Sequence, residues 1–422
     1  MLIIFLLVVL ILVAFTTFKS YRSKQAFKML ISLLFIWIIA ETVAYGYLLH
    51  KILLRKDNNF YLIGNQFILD KLLYKQVYDK YMRVTDGVYG PSQDTGYGLL
   101  TDVFIGDERQ TTSDGFRGTH NYAVDPSKDK LRIVAIGDSY VFCDGELIKN
   151  CWTHQLESRI GGLEVLNFGV SGFGMGQSYV RLVKSALKYK PDIVYLNYIN
   201  TTVRDGIVPG VFLQGVNLNK SPYYRVEFRL TEEGFDYYSF SALSLFDPKI
   251  RDEVIYKRLG IDPKKEIWFN PFFSFSNIGV MIKEKFAPLY YLNKYESKEE
   301  RRLELNLRIL RSLYKLAVDN DFTLVIFARE RVKDLDPSIL KLLNTYQDRI
   351  VFISWPDLYY PMILSEWQKQ GVFSTVNETE HFNAVGNLFY ADLVGSFLKS
   401  RSWKSHGRAF QYNKERNAFI RF

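Results

Sequence analysis

A chain of 422 residues that is 48% hydrophobic and 23% charged can bury a sizeable core, which excludes a disordered or low-complexity protein. The formal net charge of +9 is concentrated at one end: residues 401–422 carry six Lys or Arg against one Glu, leaving +4 for the rest. That excess belongs to the tail, and with no nucleic-acid-binding motif in the chain it makes no case for a nucleic-acid partner.

Leu2–Phe18 and Met29–Leu49 are two nearly unbroken apolar runs, each long enough to span about 30 Å of hydrocarbon as a helix. The first run lacks the basic n-region and small-residue cleavage site of a leader, so residues 1–54 are expected to form a retained transmembrane helical hairpin. Lys19, Arg22, Lys24 and Lys28 lie between the runs, whereas Lys51, Arg55 and Lys56 follow them. The positive-inside rule then places the connecting loop in the cytoplasm and everything from Lys51 onward outside it, in the periplasm or its equivalent. Glu41 falls inside the second run beside Thr42; the reading preferred over a functional intramembrane carboxylate is a neutral, protonated side chain packed on the partner helix.

Residues 55–110 read as a linker and lead-in, because Asp57–Leu100 is polar, aromatic and Gly-rich without clear periodicity. An α/β domain is expected over 111–400. Leu131–Ile136 is a short continuous apolar run, as in a strand buried on both faces. Asn150 is positioned to cap a helix carrying Trp152, Leu156 and Ile160, stopped by Gly161 and Gly162. The segment "EVLNFGV" predicts a second strand, Ser178–Lys190 a helix ended by Pro191, and Asp192–Tyr198 a third strand. Phe322–Ala328 and Ile350–Trp355 predict two more, and Ala384–Lys399 a last helix with Val385, Leu388, Phe389, Val394 and Phe397 on its inner face. Strands alternating with helices imply a parallel sheet covered on both faces. From about 206 to 293 the alternation breaks into an aromatic-rich insertion, read as cap packing ahead of a sugar- or acyl-binding wall. The tail at 401–422 interleaves bases with Trp403, Phe410, Tyr412, Phe419 and Phe422, which suits either an anionic membrane surface or a solvated terminus. Cys143 and Cys151 define neither a disulfide framework nor a zinc site and are read as free, buried thiols.

In an open α/β sheet, ligands bind beyond the carboxyl ends of the strands, so the loops after the first three strands should converge. They carry Gly137, Asp138 and Ser139; then "NFGVSGFGMGQ"; then "NYINTTVRD". Near the other end, "NETEHFNAVGN" puts Glu378 and Glu380 just before His381. A serine hydroxyl needs a base, an orienter for that base and oxyanion donors before it attacks an ester, and these segments offer all three. Three rival chemistries fail on spacing. The glycines at 172, 174 and 176 depart from the dinucleotide fingerprint. Val141 stands where a G-x-S-x-G elbow needs glycine. His50, His120, His154, His381 and His406 are scattered, so no metal site and no cofactor is expected.

These four blocks resemble the SGNH (GDSL-type) esterases and acyltransferases: "GDS" at 137–139, "NFGVSGFG", "KPDIVYLNYINTTVRD" and "ETEHFNAVG". "DGFRG" at 114–118, with an N-terminal span bearing a Glu near its end, is similar to membrane-anchored bacterial members. The resemblance covers about Thr111–Asp205 and Thr375–Leu398, and leaves the insertion unexplained. It implies a flavodoxin-like three-layer sandwich with a parallel sheet, the SGNH hydrolase fold. It carries the nucleophile onto Ser139, the base onto His381, and oxyanion donors onto the backbone of Ser139 and Gly172. Two positions depart from the family pattern. The usual aspartate is Glu378, with Glu380 as fallback, and the usual Asn-Asp pair is "NTT", so the third donor is Asn200 or falls on Thr201.

The expected activity is that of a membrane-anchored serine esterase or O-acyltransferase acting on ester-linked acyl groups of an envelope polysaccharide or lipid. The expected partners are the lipid bilayer, that acyl ester and, for acyl transfer, a membrane acyltransferase. The alternative is a catalytically degenerate SGNH domain that binds a glycan or docks onto an acyltransferase.

Overall fold

The computed structural model of the chain describes residues 21–53, 59–60, 88–105, 108–198, 216–217, 227–238, 278–279, 282, 299–328, 330–354, 357 and 381–422. In chain order the main elements are helix α1 (Tyr21–Leu53), strands β1 (Tyr89–Ser92) and β2 (Gly96–Leu99), strand β3 (Leu131–Ile136), helices α2 (Ser139–Phe142) and α3 (Trp152–Arg159), and strand β4 (Leu163–Asn167). Helix α4 (Met175–Arg181), strands β5 (Ile193–Tyr198), β6 (Glu227–Leu230) and β7 (Phe235–Tyr238), helix α5 (Glu299–Asp319) and strand β8 (Thr323–Ala328) follow. The chain continues through helix α6 (Pro337–Thr345), strand β9 (Ile350–Ser354), helix α7 (Ala384–Lys399) and strands β10 (Trp403–Ser405), β11 (Arg408–Asn413) and β12 (Ala418–Arg421).

Five strands form one parallel sheet in the order β9-β8-β5-β3-β4. Counted by their own succession this is 2-1-3-4-5, the flavodoxin-like doubly wound order. Side chains alternate between two cores, as strand geometry requires. Val134, Ile136, Leu166, Val194 and Ile326 pack under α4, α5 and α6. Ile133, Ala135, Val165, Tyr195 and Phe327 pack under α3 and α7. Every residue of β3 and β5 is buried, Arg132 and Asn197 included, and the other positions are apolar on both faces, as in the centre of a covered parallel sheet.

Several local expectations need correction. Asn150 does not cap α3; Cys151 occupies the cap position, and the Asn150 amide donates to the Glu146 carboxylate at 2.9 Å. The predicted helix over 178–190 is α4 followed by a π-helical turn (Leu182–Ala186) and a 3-10 turn (Leu187–Tyr189). The buried face of α7 carries Gly386, Asn387, Tyr390, Ala391, Leu393, Val394, Gly395 and Leu398, whereas Val385 and Leu388 are exposed. The stretch read as a linker contains the β1–β2 hairpin, whose Tyr97 is 1% exposed. Within the insertion, β6 and β7 pair, and Arg308 of α5 donates to the carbonyls of Thr231 and Gly234 at their turn.

The basic tail is an ordered unit rather than a loose end. It is a three-stranded antiparallel sheet, β10-β11-β12, with Trp403, Phe410 and Phe419 buried in the α3/α7 core. Asp192, 1% exposed in its side chain, accepts from Arg408 Nη2 at 2.7 Å, from the Ser405 hydroxyl and from the Arg132 N–H at 2.8 Å. Gly161 donates to Asn417 O at 3.0 Å and accepts from Phe419 N–H at 2.9 Å, closing the seam. The bases are thus spent on docking and solvent, and Trp403, Phe410 and Phe419 on the core, while Phe422 is exposed.

Of the two apolar runs, the first lies outside the described residues, and the second lies within α1. Side chains of α1 are described without a break only from 31 to 47. Among the described residues no helix is long and apolar enough to cross a membrane.

Candidate active site

Ser139 stands where β3 breaks into α2. Gly137 has φ +152°, and a Cβ there would lie 2.6 Å from Val141 Cγ2 and 3.0 Å from Asn197 Cβ, so only glycine lets the strand turn this sharply into the helix. Asp138 caps α2: its Oδ1 accepts the Tyr140 N–H at 3.1 Å and the Asn197 Nδ2–H at 3.0 Å. Ser139 follows as the first helical residue, 5% exposed.

His381 arrives from the far end of the chain. Asn383 caps α7 by accepting from Val385 N–H and Gly386 N–H at 3.0 and 3.1 Å, which fixes the segment just ahead of that helix. His381 Nε2 then lies 2.7 Å from Ser139 Oγ, across 242 positions of sequence. A neutral imidazole with its proton on Nδ1 accepts from the serine hydroxyl in this arrangement. Two buried residues tie the halves together. Asn387 Nδ2 donates to the carbonyls of Phe382 and Asn383 at 3.0 and 3.1 Å, while its Oδ1 accepts the Trp152 N–H at 3.3 Å. Trp152 Nε1 donates to the Tyr140 carbonyl at 3.1 Å, next to the serine. The Tyr140 ring lies against both His381 and Phe382, with centroids 5.1 Å away in each case.

The loop after β4 is pinned beside the serine. Val170 N–H donates to Gly137 O at 3.1 Å, and Asn167 Nδ2 donates to Val141 O at 2.6 Å while its Oδ1 accepts from Gly169 N–H at 3.0 Å. Arg181 supports the loop from below, donating to Phe168 O at 3.0 Å and Gly115 O at 2.6 Å; burial pushes its pKa down to about 10. Val170–Phe173 is a turn closed by Phe173 N–H on Val170 O at 3.1 Å, with Gly172 at φ +80°. That is the type II geometry, which needs glycine at its third position. Among the described residues, no acceptor takes the N–H of Ser139 or of Gly172. Both amides are therefore able to donate to a substrate oxygen.

The structure thus brings together Ser139, His381 and the Gly172 loop. Glu378, Glu380, Asn200 and Thr201 lie outside the described residues. Cys143 and Cys151 are free and buried, beneath the serine helix. No group of three or more His, Cys, Asp or Glu side chains converges as metal ligands would among the described residues. Four contributors escaped sequence reasoning: Asn197, Trp152, Asn387 and Tyr97. Asn197 had a signal, since it is a polar residue flanked by the buried Leu196 and Tyr198; Asn387, beside the exposed Leu388, and Tyr97 had none.

No protein-family model matches the chain, and no curated protein matches it. Similar solved structures include a chain described as a GDSL-like lipase from Parabacteroides merdae, 13% identical, with 65% of this chain and 99% of that chain covered and a TM-score of 0.30. An acetyl xylan esterase shows 12% identity, 63% and 99% coverage and a TM-score of 0.29. An acetylxylan esterase from Geobacillus stearothermophilus shows 13% identity, 64% and 94% coverage and a TM-score of 0.28. Likenesses this distant carry no argument about activity, so the chemistry rests on the geometry of the dyad and its loop.

Proposed function

We propose that the protein is a membrane-anchored serine esterase or O-acyltransferase. The observation that carries this reading is the 2.7 Å contact between Ser139 Oγ and His381 Nε2 at the carboxyl edge of the sheet. Ser139 attacks the ester carbonyl as His381 takes its proton; the N–H groups of Ser139 and Gly172 hold the oxyanion, with Asn200 as the third donor. Collapse of the tetrahedral intermediate expels the alcohol, which receives the proton from His381, and leaves an acyl group on Ser139. Water or an acceptor hydroxyl then removes it by the reverse sequence. Glu378, three residues before the histidine, is assigned to orient the imidazole and stabilise its cationic form.

Anchoring is supported by the two apolar runs and by α1, where Met29, Leu33, Phe35, Ile36, Ile39 and Val43 are all exposed, as on a helix whose surroundings are lipid. With the connecting loop cytoplasmic, the α/β domain faces the cell envelope, and its substrate is an acyl ester of an envelope polysaccharide or lipid. Protease access to tags placed near Lys24 and at the C-terminus of intact cells checks that orientation.

The activity is tested with p-nitrophenyl acetate and the detergent-solubilised full chain. Turnover is expected to fall at least about a thousandfold in Ser139→Ala. Equal turnover in both proteins, or none in either, overturns the esterase reading, and the second result favours a glycan-binding or acyltransferase-docking role.

A further inference from the structure

We infer that Tyr97, from the hairpin ahead of the α/β domain, is a positioning residue that locks the Ser171–Gly172 peptide so that its N–H faces the oxyanion. The inference rests on the esterase reading for its catalytic consequence, though not for the contact itself. Tyr97 is 1% exposed, and its hydroxyl donates to the Ser171 carbonyl at 2.7 Å. The ring is set edge-on against Phe173, with centroids 5.1 Å apart at 83°. Across the hairpin, the Tyr89 hydroxyl donates to Ser171 Oγ at 2.9 Å, so one residue of the loop is gripped at side chain and carbonyl. The hairpin is itself anchored to α4, where Gln177 Nε2 donates to Thr95 O at 3.0 Å.

The need for such a grip follows from the turn. Ser171 and Gly172 are its two central residues, and the peptide joining them is the one whose orientation distinguishes a type I from a type II turn. Glycine removes the side chain that would oppose rotation of that peptide. In a trans peptide the C=O and N–H point in opposite directions, so a flip would turn the Gly172 donor away from the substrate. A hydroxyl bound to the Ser171 oxygen holds one orientation, and by polarising the amide it makes the N–H a stronger donor. The fit is close: a Cβ on Gly172 would lie 2.9 Å from the Tyr97 hydroxyl oxygen.

Tyr97→Phe keeps the ring and removes only the donor. In the full chain, kcat for p-nitrophenyl acetate is expected to fall about tenfold, less than the loss of a whole oxyanion donor, with KM within about twofold and the midpoint of the pH profile unmoved. A second readout does not depend on catalysis. Ser171–Gly172 is the only Ser-Gly dipeptide in the chain, so labelling serine with carbonyl 13C and glycine with 15N gives a single carbonyl-to-amide cross-peak. Tyr97→Phe should move its 13C resonance upfield as the hydrogen bond is lost. An unmoved cross-peak overturns the contact; a moved cross-peak with unchanged kcat overturns the positioning role. If the unaltered protein shows no Ser139-dependent turnover, the esterase reading has failed separately, and the cross-peak still decides whether Tyr97 holds the peptide.

Discussion

Glu157 of α3 shows how a single half-buried carboxylate leaves a mark on stability. Its side chain is 18% exposed and accepts the Tyr122 hydroxyl at 2.6 Å. Burial pushes its pKa up, offset only in part by that hydrogen bond and one from the Val165 backbone. A carboxyl whose folded pKa is raised favours the native state while protonated, and this contribution is lost as pH climbs through the folded value. Glu157→Gln keeps an acceptor for Tyr122 without the charge. Thermal melts should therefore show the variant more stable than the parent at about pH 8 and no more stable at about pH 4. A gain independent of pH would mean that the charge is not the cause.

Between elements, the seam of α3 with α7 sets where His381 stands relative to Ser139. Gly395 permits the close approach: a Cβ there would lie 3.1 Å from Ile160 Cδ1 and 3.2 Å from Leu156 Cδ1. Asn387 sits in the same seam, and Asn387→Ala would remove the side-chain donor to Phe382 O, the second donor to Asn383 O and the acceptor of the Trp152 N–H. The expected cost is about 1–3 kcal/mol in urea denaturation. Turnover should suffer in kcat more than in KM, because the segment bearing His381 loosens while the substrate surface is intact; an unchanged kcat would show that the dyad does not rely on this seam. The same seam marks the limit of what the sequence reveals. Leu131–Ile136 and Asp192–Tyr198 were legible because strands buried on both faces need no period, and the Gly-Asp-Ser turn was legible because a glycine and a cap are required there. The inner face of α7 was not, since glycines and an asparagine line it while Val385 and Leu388 point outward. Tyr97 was invisible for another reason: a hydroxyl seeking a carbonyl 74 positions away has no local pattern.

On the scale of the whole molecule, the end opposite the serine is sealed by the β10–β12 sheet. Its Arg408 is 8% exposed in the side chain and faces Asp192. Arg408→Ala would leave that carboxylate buried with its cationic partner gone, so urea denaturation should show a loss of about 3–5 kcal/mol; a loss below about 1 kcal/mol would reduce the pair to the surface class. The 216 positions between these two partners have a temporal meaning. At the pace of ribosomal synthesis, β5 waits roughly 10–40 s before the strand that covers its amino end exists. Through that interval the nascent domain displays an uncovered carboxylate and an apolar flank, so its safe passage depends on whatever shields emerging chains.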